Sequence, residues 1–230
     1  EFGLRQVGAR AYSSAAVDSG WLPCPLPAIY SGEEMRAYRE WLPATSFDGI
    51  AALGGSFVSD AIEDYYFTPW EVDYGRLIRF DHDFVGRKAL EEKASQKHRK
   101  KVSLVLDSED AAKVYASQMS LGQNAKAMEV PTAHYAAYPY DVVLDKHDNE
   151  VGVSTYTSFI APDGAWVALA VVDEDVAAEG SELSVIWGEP AGGSNRPTVE
   201  RHVQTSLRAT VSGWPFSKVA QQGYRPGLAA

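Results

Sequence analysis

Apolar residues in the first part of the chain recur at the spacing of short helices. Over 35–42 they lie three or four positions apart, which predicts a helix that Pro43 ends. The Ser-Gly-Glu-Glu segment at 31–34 has the form of a capping box, in which the serine oxygen accepts an amide N–H one turn into the helix. Two further short helices are predicted, over 60–66 and from 86 or 87 to about 96. This part is therefore predicted to mix helix and strand.

Beyond residue 101 the pattern changes to strands separated by turn residues. A helix is expected to begin near Ser108 and to continue through Tyr115. The predicted strands cover 102–106, 141–144, 151–160, 165–172, 182–187 and 199–211. Short strands at this spacing favour a small barrel or sandwich. We predict an α+β protein with one domain over residues 1–97 and a small antiparallel β-barrel domain over residues 98–230.

The composition is that of an ordinary globular protein, with 45% hydrophobic and 23% charged residues among 230. A net charge of −10 argues against a protein that binds nucleic acid or an anionic membrane, because those surfaces need clustered lysine and arginine. The basic run at 97–101 is interpreted as a solvated helix end or linker. No apolar segment approaches the ~20 residues that cross a bilayer, so no membrane partner is expected.

Residues that bind metals or carry covalent catalysis are sparse. Cys24 is the only cysteine, which excludes an intramolecular disulfide and a cysteine metal cluster and favours a reducing cytoplasm. The five histidines are scattered, with no pair at the short spacing of a helix-borne metal site, so no metal is expected. The glycine doublets at 54–55 and 192–193 lack the further glycine and lysine of phosphate loops and are interpreted as turns.

Four segments in the first part of the chain carry a family resemblance. They are Gly-Ala-Arg-Ala-Tyr at 8–12, Asp-Ser-Gly-Trp at 18–21, Thr-Pro-Trp-Glu at 68–71 and Asp-Phe-Val-Gly-Arg-Lys-Ala-Leu at 83–90. In order and approximate spacing they resemble the folate-dependent aminomethyltransferase family, typified by the T-protein of glycine cleavage. Weaker matches at 152–154, 168–173, 180–183 and 215–216 extend the resemblance through the C-terminal barrel of that family. The pair Tyr12 and Trp21 is most similar to one subfamily, the tetrahydrofolate-dependent aryl O-demethylases of vanillate or syringate type.

The resemblance implies that residues 1–97 are the C-terminal part of a folate-binding domain and that tetrahydrofolate is the cofactor. It also implies a reaction, in which a methyl group passes from a small methoxylated aromatic acid to tetrahydrofolate. Members of the family carry a long portion upstream of the Gly-Ala-Arg segment. We therefore expect this chain to be a C-terminal segment whose partner is the missing N-terminal portion of the same enzyme.

Tyr12 lies where the aryl O-demethylases have their catalytic tyrosine. Loss of a methyl group from an aryl ether leaves a phenolate, which departs more easily if a proton arrives as the bond breaks. A tyrosine, with an unperturbed pKa of about 10, is closely matched to a phenol of similar acidity, and proton transfer between matched groups is efficient. The alternative is a core tyrosine whose hydroxyl caps a backbone group.

Trp21 and Arg10 are the expected folate-binding residues. By the resemblance, the indole of Trp21 stacks on the folate, although a core role competes because the chain has six tryptophans. Arg10 could bind the folate carboxylates or form a structural ion pair with Asp18 or Glu71, and the structural use is favoured. The interval from Gly-Ala-Arg to the acidic residue is about two residues longer than in glycine-cleavage enzymes, so their residue roles are not carried over.

Three other functions are compatible with these residues. The first is a different transfer on the same scaffold, either aminomethyl transfer or sulfonium demethylation, and the aromatic pair of Tyr12 and Trp21 argues mildly against both. The second is a folate-binding relative without enzymatic activity. The third, from a different class, is a stand-alone interaction domain.

Overall fold

The computed structural model describes residues 3–4, 6–23, 25–133, 136–193 and 199–223. Its helices are α1 (Ala9–Asp18), α2 (Arg36–Trp41), α3 (Phe47–Ile50), α4 (Arg87–Ala94), α5 (Ser108–Gln118) and α6 (Lys218–Gly223). Its strands are β1 (Leu53–Gly54), β2 (Lys100–Leu106), β3 (Tyr138–Pro139), β4 (Asp141–Leu144), β5 (Glu150–Ile160), β6 (Ala165–Val172), β7 (Glu182–Trp187) and β8 (Thr205–Ser212). The helix predicted over 60–66 is a 3-10 helix over Ile62–Tyr65. The described helices do not reach the length and hydropathy needed to span a bilayer.

Six antiparallel strands close into a barrel in the order β2-β6-β5-β4-β7-β8. Side chains alternate between the two faces of each strand, and the barrel interior buries Leu104, Val143, Val185 and Leu207. The strand β7 has the bounds that alternation predicts, whereas β8 begins at Thr205, later than expected. The prediction of an α+β protein with a small antiparallel β-barrel is confirmed. The division into domains at residue 97 remains a prediction.

The first part of the chain packs on the outer surface of the barrel. Helix α1 lies against β5 and β6, where Val17 and Leu22 join Ile160, Val167 and Leu169 in a buried cluster. Burial of an aliphatic side chain of this size stabilises a fold by ~1.5–3 kcal/mol. This cluster therefore fixes α1, and the residues it carries, relative to the barrel wall.

A second attachment is built around the glycine doublet at 54–55. Strand β1 pairs in parallel with β3, and a Cβ added to Gly55, whose φ is +101°, would lie 1.9 Å from the carbonyl oxygen of Tyr140. Only glycine permits so close an approach. The hydroxyl of Ser56 then donates to the Ile186 carbonyl at 2.6 Å and accepts the Val142 N–H at 2.8 Å. The doublet that the sequence marks as a turn is thus a contact between the first part of the chain and the barrel.

Two predicted helix starts are wrong in detail. Helix α2 begins at Arg36 without a side-chain cap, and the Ser31 hydroxyl instead donates to the Tyr66 hydroxyl at 3.3 Å. Helix α5 is capped by Asp107 rather than by Ser108, because the Asp107 carboxylate accepts two backbone N–H groups of the first turn. An aspartate in this position satisfies amide groups that have no partner within the helix.

The basic run at 97–101 is only in part the solvated helix end or linker that the sequence predicts, since Lys97 and Lys100 are exposed. The guanidinium of Arg99 donates to the buried carboxylate of Glu71 at 2.7 Å. The ammonium of Lys101 donates to the Gly20 carbonyl at 2.8 Å. The run therefore enters strand β2 and ties the barrel to the turn after α1 and to the Thr-Pro-Trp-Glu segment.

Candidate active site

The candidate site is built on α1 and the turn that follows it. Four of the ten residues of α1 are alanine, the strongest helix former, and Ala16 and Val17 are its buried positions. The helix is followed by Gly20 with a φ of +70°, a left-handed conformation that glycine adopts readily and that lets the chain turn. As a result the Trp21 N–H donates to the Ala16 carbonyl at 2.9 Å, and the indole is directed back along α1 toward Tyr12.

The structure brings Tyr12 and Trp21 together. Their ring centroids are 6.0 Å apart and the ring planes make an angle of 80°, an edge-to-face contact. Both side chains reach the surface, with 59% of Tyr12 and 40% of Trp21 exposed. Within the described part of the chain, the Tyr12 hydroxyl has no hydrogen-bond partner, so it does not cap a backbone group there. The pair is an open aromatic surface with a free hydroxyl.

Arg10 lies on the same helix but is bound elsewhere. Its Nη1 atom donates to the carbonyl oxygen of Val130 at 3.3 Å, across the surface from α1. The structural ion pair expected with Asp18 or Glu71 is absent among the described residues, because Glu71 pairs with Arg99. That expectation is wrong, and the role of Arg10 toward folate carboxylates stays a prediction.

Asp18, which sequence reasoning considered only as a partner of Arg10, has an unusual environment. Its Oδ1 atom is buried and has no hydrogen-bond partner among the described residues. Burial raises the pKa of Asp18, as does the negative charge of Asp163, while a hydrogen bond from Ser217 acts in the opposite direction. A carboxyl group with a raised pKa and an unsatisfied oxygen is typical of functional sites. The signal in the sequence was its place in the Asp-Ser-Gly-Trp segment.

Other features of the described residues do not mark a competing catalytic centre. A cavity of about 830 Å³ opens between β2, β8 and α5, but Tyr12, Trp21 and Arg10 are not among its lining residues. No group of three or more histidine, cysteine, aspartate or glutamate side chains in the described ranges is arranged to hold a metal ion. Cys24 and His134 lie outside these ranges. The doublet at 192–193 belongs to a loop against His202.

The curated proteins that are similar to this chain include the following two. A syringate O-demethylase from a Sphingobium species is 44% identical over 224 residues, which are 96% of this chain and 48% of that protein. A sesamin methylene transferase from a Sinomonas species is 28% identical over 242 residues, covering 94% of this chain and 48% of that protein. The chain thus spans about half the length of the curated relatives that it matches.

Among solved structures, the glycine cleavage system aminomethyltransferase T of Bartonella henselae aligns with 73% of this chain and 35% of its own. The TM-score is 0.41 and the sequence identity is 17%. No protein-family model matches the chain.

Proposed function

Over the length that it spans, the chain belongs to the folate-dependent, aminomethyltransferase-like O-demethylase family, as its motif segments predicted, and we propose that it is part of a tetrahydrofolate-dependent methyltransferase. In the whole enzyme, the methyl group of a small methoxylated aromatic acid passes to tetrahydrofolate. The observation that carries the proposal is the exposed pair of Tyr12 and Trp21, held together on one helix and its following turn.

One side chain of this chain, that of Trp21, fits a folate. The partly exposed indole of Trp21 offers a flat surface on which a pterin or aminobenzoyl ring would stack, a contact that contributes ~0.5–1.5 kcal/mol beyond the burial of area. When bound, tetrahydrofolate supplies the nitrogen nucleophile that accepts the methyl group.

Tyr12 has the properties of the proton donor for the leaving group. Its hydroxyl is free of protein partners among the described residues and lies at the surface, so a substrate oxygen can approach it. As the bond between the methyl carbon and the aryl oxygen breaks, the Tyr12 proton would pass to that oxygen, and the tyrosinate would later regain a proton from water. A positioned general acid of this kind contributes ~10²–10⁴-fold to the rate.

We infer that the site is completed by a further portion of the same enzyme. The relatives contain about as much chain again as the segment that matches, since 48% of each is covered. We assign to that portion the groups that recognise the carboxylate of the aromatic acid. A reducing cytoplasm, which the single cysteine favours, is the proposed location.

Replacement of Tyr12 by phenylalanine in the whole enzyme tests the proposal. The ring and its packing on Trp21 remain, but the proton is lost, so folate and substrate should still bind while demethylation of an aryl methyl ether falls ~10²–10⁴-fold. The matched control is Tyr74→Phe, which removes the hydroxyl of another partly exposed tyrosine and should leave the rate unchanged.

A second methyl donor separates acid catalysis from positioning. A sulfonium donor leaves as a neutral thioether and needs no proton, so the deficit of Tyr12→Phe should shrink with it. An equal deficit with both donors would exclude Tyr12 as the acid. Full demethylase activity in the variant would overturn the proposed mechanism.

A further inference from the structure

We propose that Lys101, on the barrel wall, is a positioning residue that fixes the orientation of Trp21 in the candidate site. This inference rests on the proposed function for its consequence in catalysis, but its structural part is independent of turnover. It assigns a role to a residue of the basic run, which the sequence predicts to be a solvated helix end or linker.

The strand geometry directs Lys101 to the outer face of the barrel. In β2, the buried interior cluster includes Val102, which follows Lys101, and Leu104, two residues further along. Because side chains alternate across a strand, Lys101 points to the opposite face, where the chain after α1 packs. The adjacent Lys100 is exposed and pairs with Glu174 at the surface.

Two carbonyl groups and one aromatic ring surround the ammonium of Lys101. Its Nζ atom donates to the Gly20 oxygen at 2.8 Å and to the Val72 oxygen at 3.4 Å. It also lies 3.9 Å from the centre of the Trp214 ring, a cation–π contact. The ammonium sits just after the last turn of α1, where a positive charge interacts favourably with the helix dipole.

The contact with Gly20 fixes the peptide unit that leads into Trp21. The carbonyl of Gly20 and the N–H of Trp21 belong to one planar group. Lys101 holds its carbonyl end at 2.8 Å, and the N–H end donates to the Ala16 oxygen at 2.9 Å. Because both ends of this peptide group are hydrogen-bonded, it cannot rotate. The backbone position from which the Trp21 side chain extends is therefore fixed.

Trp214 contacts both Lys101 and the Gly20 turn. A Cβ added to Gly20 would lie 3.0 Å from a ring carbon of Trp214, so the turn and the indole are already in close contact. Lys101 therefore lies between the strand that carries it and a turn that has little room to move. Loss of the Lys101 ammonium would remove the hydrogen bond to the Gly20 carbonyl and the cation–π contact with Trp214 together.

The test uses the whole enzyme labelled with 5-fluorotryptophan, in which each of the six tryptophans of this chain gives a fluorine resonance. The variant Trp21→Phe assigns the Trp21 signal. In Lys101→Met, the Trp21 resonance should shift, in addition to the Trp214 resonance that loses its cation. The matched control is Lys100→Met on the same strand, which should move neither signal.

Kinetics give a second readout. Because Lys101 acts on the folate-stacking residue and not on the reacting atoms, Lys101→Met should raise KM for tetrahydrofolate by about tenfold, as for loss of a charged hydrogen bond, with little change in kcat. A Lys101→Arg variant, which keeps the charge, should recover most of the loss.

If Lys101→Met does not fold, Lys101→Leu, which likewise removes both the charge and the hydrogen-bond donor, takes its place. An unchanged Trp21 resonance in whichever variant folds overturns the positioning role. A shifted Trp21 resonance without any change in KM for tetrahydrofolate would keep the positioning role and contradict the folate contact of the proposed function. The experiment thus distinguishes failure of the positioning role from failure of the proposed function.

Discussion

At the scale of single residues, the barrel depends on a carboxylate that the chain sequence does not distinguish. Asp110, in the first turn of α5, accepts hydrogen bonds from the Arg208 side chain at 2.7 Å and from the Arg208 backbone N–H at 3.1 Å. The hydrogen bonds from Arg208 hold the pKa of Asp110 well below its usual range, against the opposing effect of burial. Helix α5 is thereby attached to β8.

The stability of the chain should therefore vary with pH through Asp110. The folded-state pKa lies below the unfolded value of about 3.9, so the ionised carboxylate stabilises the fold above that pH, and the contribution is lost as the pH falls toward the folded-state value. Asp110→Asn should lower the free energy of unfolding by ~1–3 kcal/mol at pH 7. Urea titrations at a series of pH values should show this difference shrinking below about pH 4.

The exposed Asp175 provides the control for this measurement. It pairs with Lys97 at the surface, where ion pairs contribute little. Asp175→Asn should remain close to the parent chain at every pH. A difference between Asp110→Asn and the parent chain that does not change with pH would contradict the role of ionisation.

At the scale of elements, the sequence predicted those features that depend on residues close together in the chain. The strands of the barrel were predictable because burial alternates along β7 and β8 and is nearly continuous along β6, and each pattern is typical of a strand. The helix start at Asp107 was missed by one residue, since aspartate and serine are both favoured caps. Ser31 was misassigned because its partner, Tyr66, is distant in sequence. The site motif singled out Tyr12 and Trp21, and the structure brings their rings into contact, while their roles remain predictions.

The basic run shows why contacts between distant parts of the chain could not be predicted from the sequence. Its residues look alike in sequence, but Arg99 reaches a buried carboxylate, Lys101 reaches a turn, and Lys97 stays in solvent. Which of these occurs depends on the face of β2 and on chain segments about thirty to eighty residues away. The ion pair expected of Arg10 was wrong for the same reason, because its partner Val130 lies 120 residues along the chain.

The pair of Arg99 and Glu71 should be the energetically important part of the run. The side chains are 26% and 10% exposed, so Arg99→Ala would leave a buried carboxylate without its cation. Breaking a buried pair in this way costs ~3–5 kcal/mol. Lys97→Ala, which breaks a pair whose side chains are 59% and 81% exposed, should cost less than ~1 kcal/mol. Thermal or urea unfolding of the two variants compares them, and equal losses would contradict the assignment.

At the scale of the whole molecule, exposed apolar side chains are unevenly distributed. Eleven of the fifteen large hydrophobic residues that are exposed in the described ranges lie between residues 4 and 85, and four lie between 119 and 219. Trp41, Phe47 and Ile50 on α2 and α3 are each more than 60% exposed. Such groups of apolar side chains mark interaction surfaces. We propose the further portion of the enzyme as the partner of this surface.

Oxidative footprinting tests that assignment by comparing the 230-residue chain with the whole enzyme. In the isolated chain the indole of Trp41, 72% exposed, should oxidise readily, and in the whole enzyme it should be protected because the further portion covers it. Met119, 84% exposed at the end of α5, is the internal control. It should react equally in both forms, since it lies on the barrel side. Equal reactivity of Trp41 in the two forms would mean that this surface faces solvent in the whole enzyme, and the second half of the site would then have to approach Tyr12 from another direction.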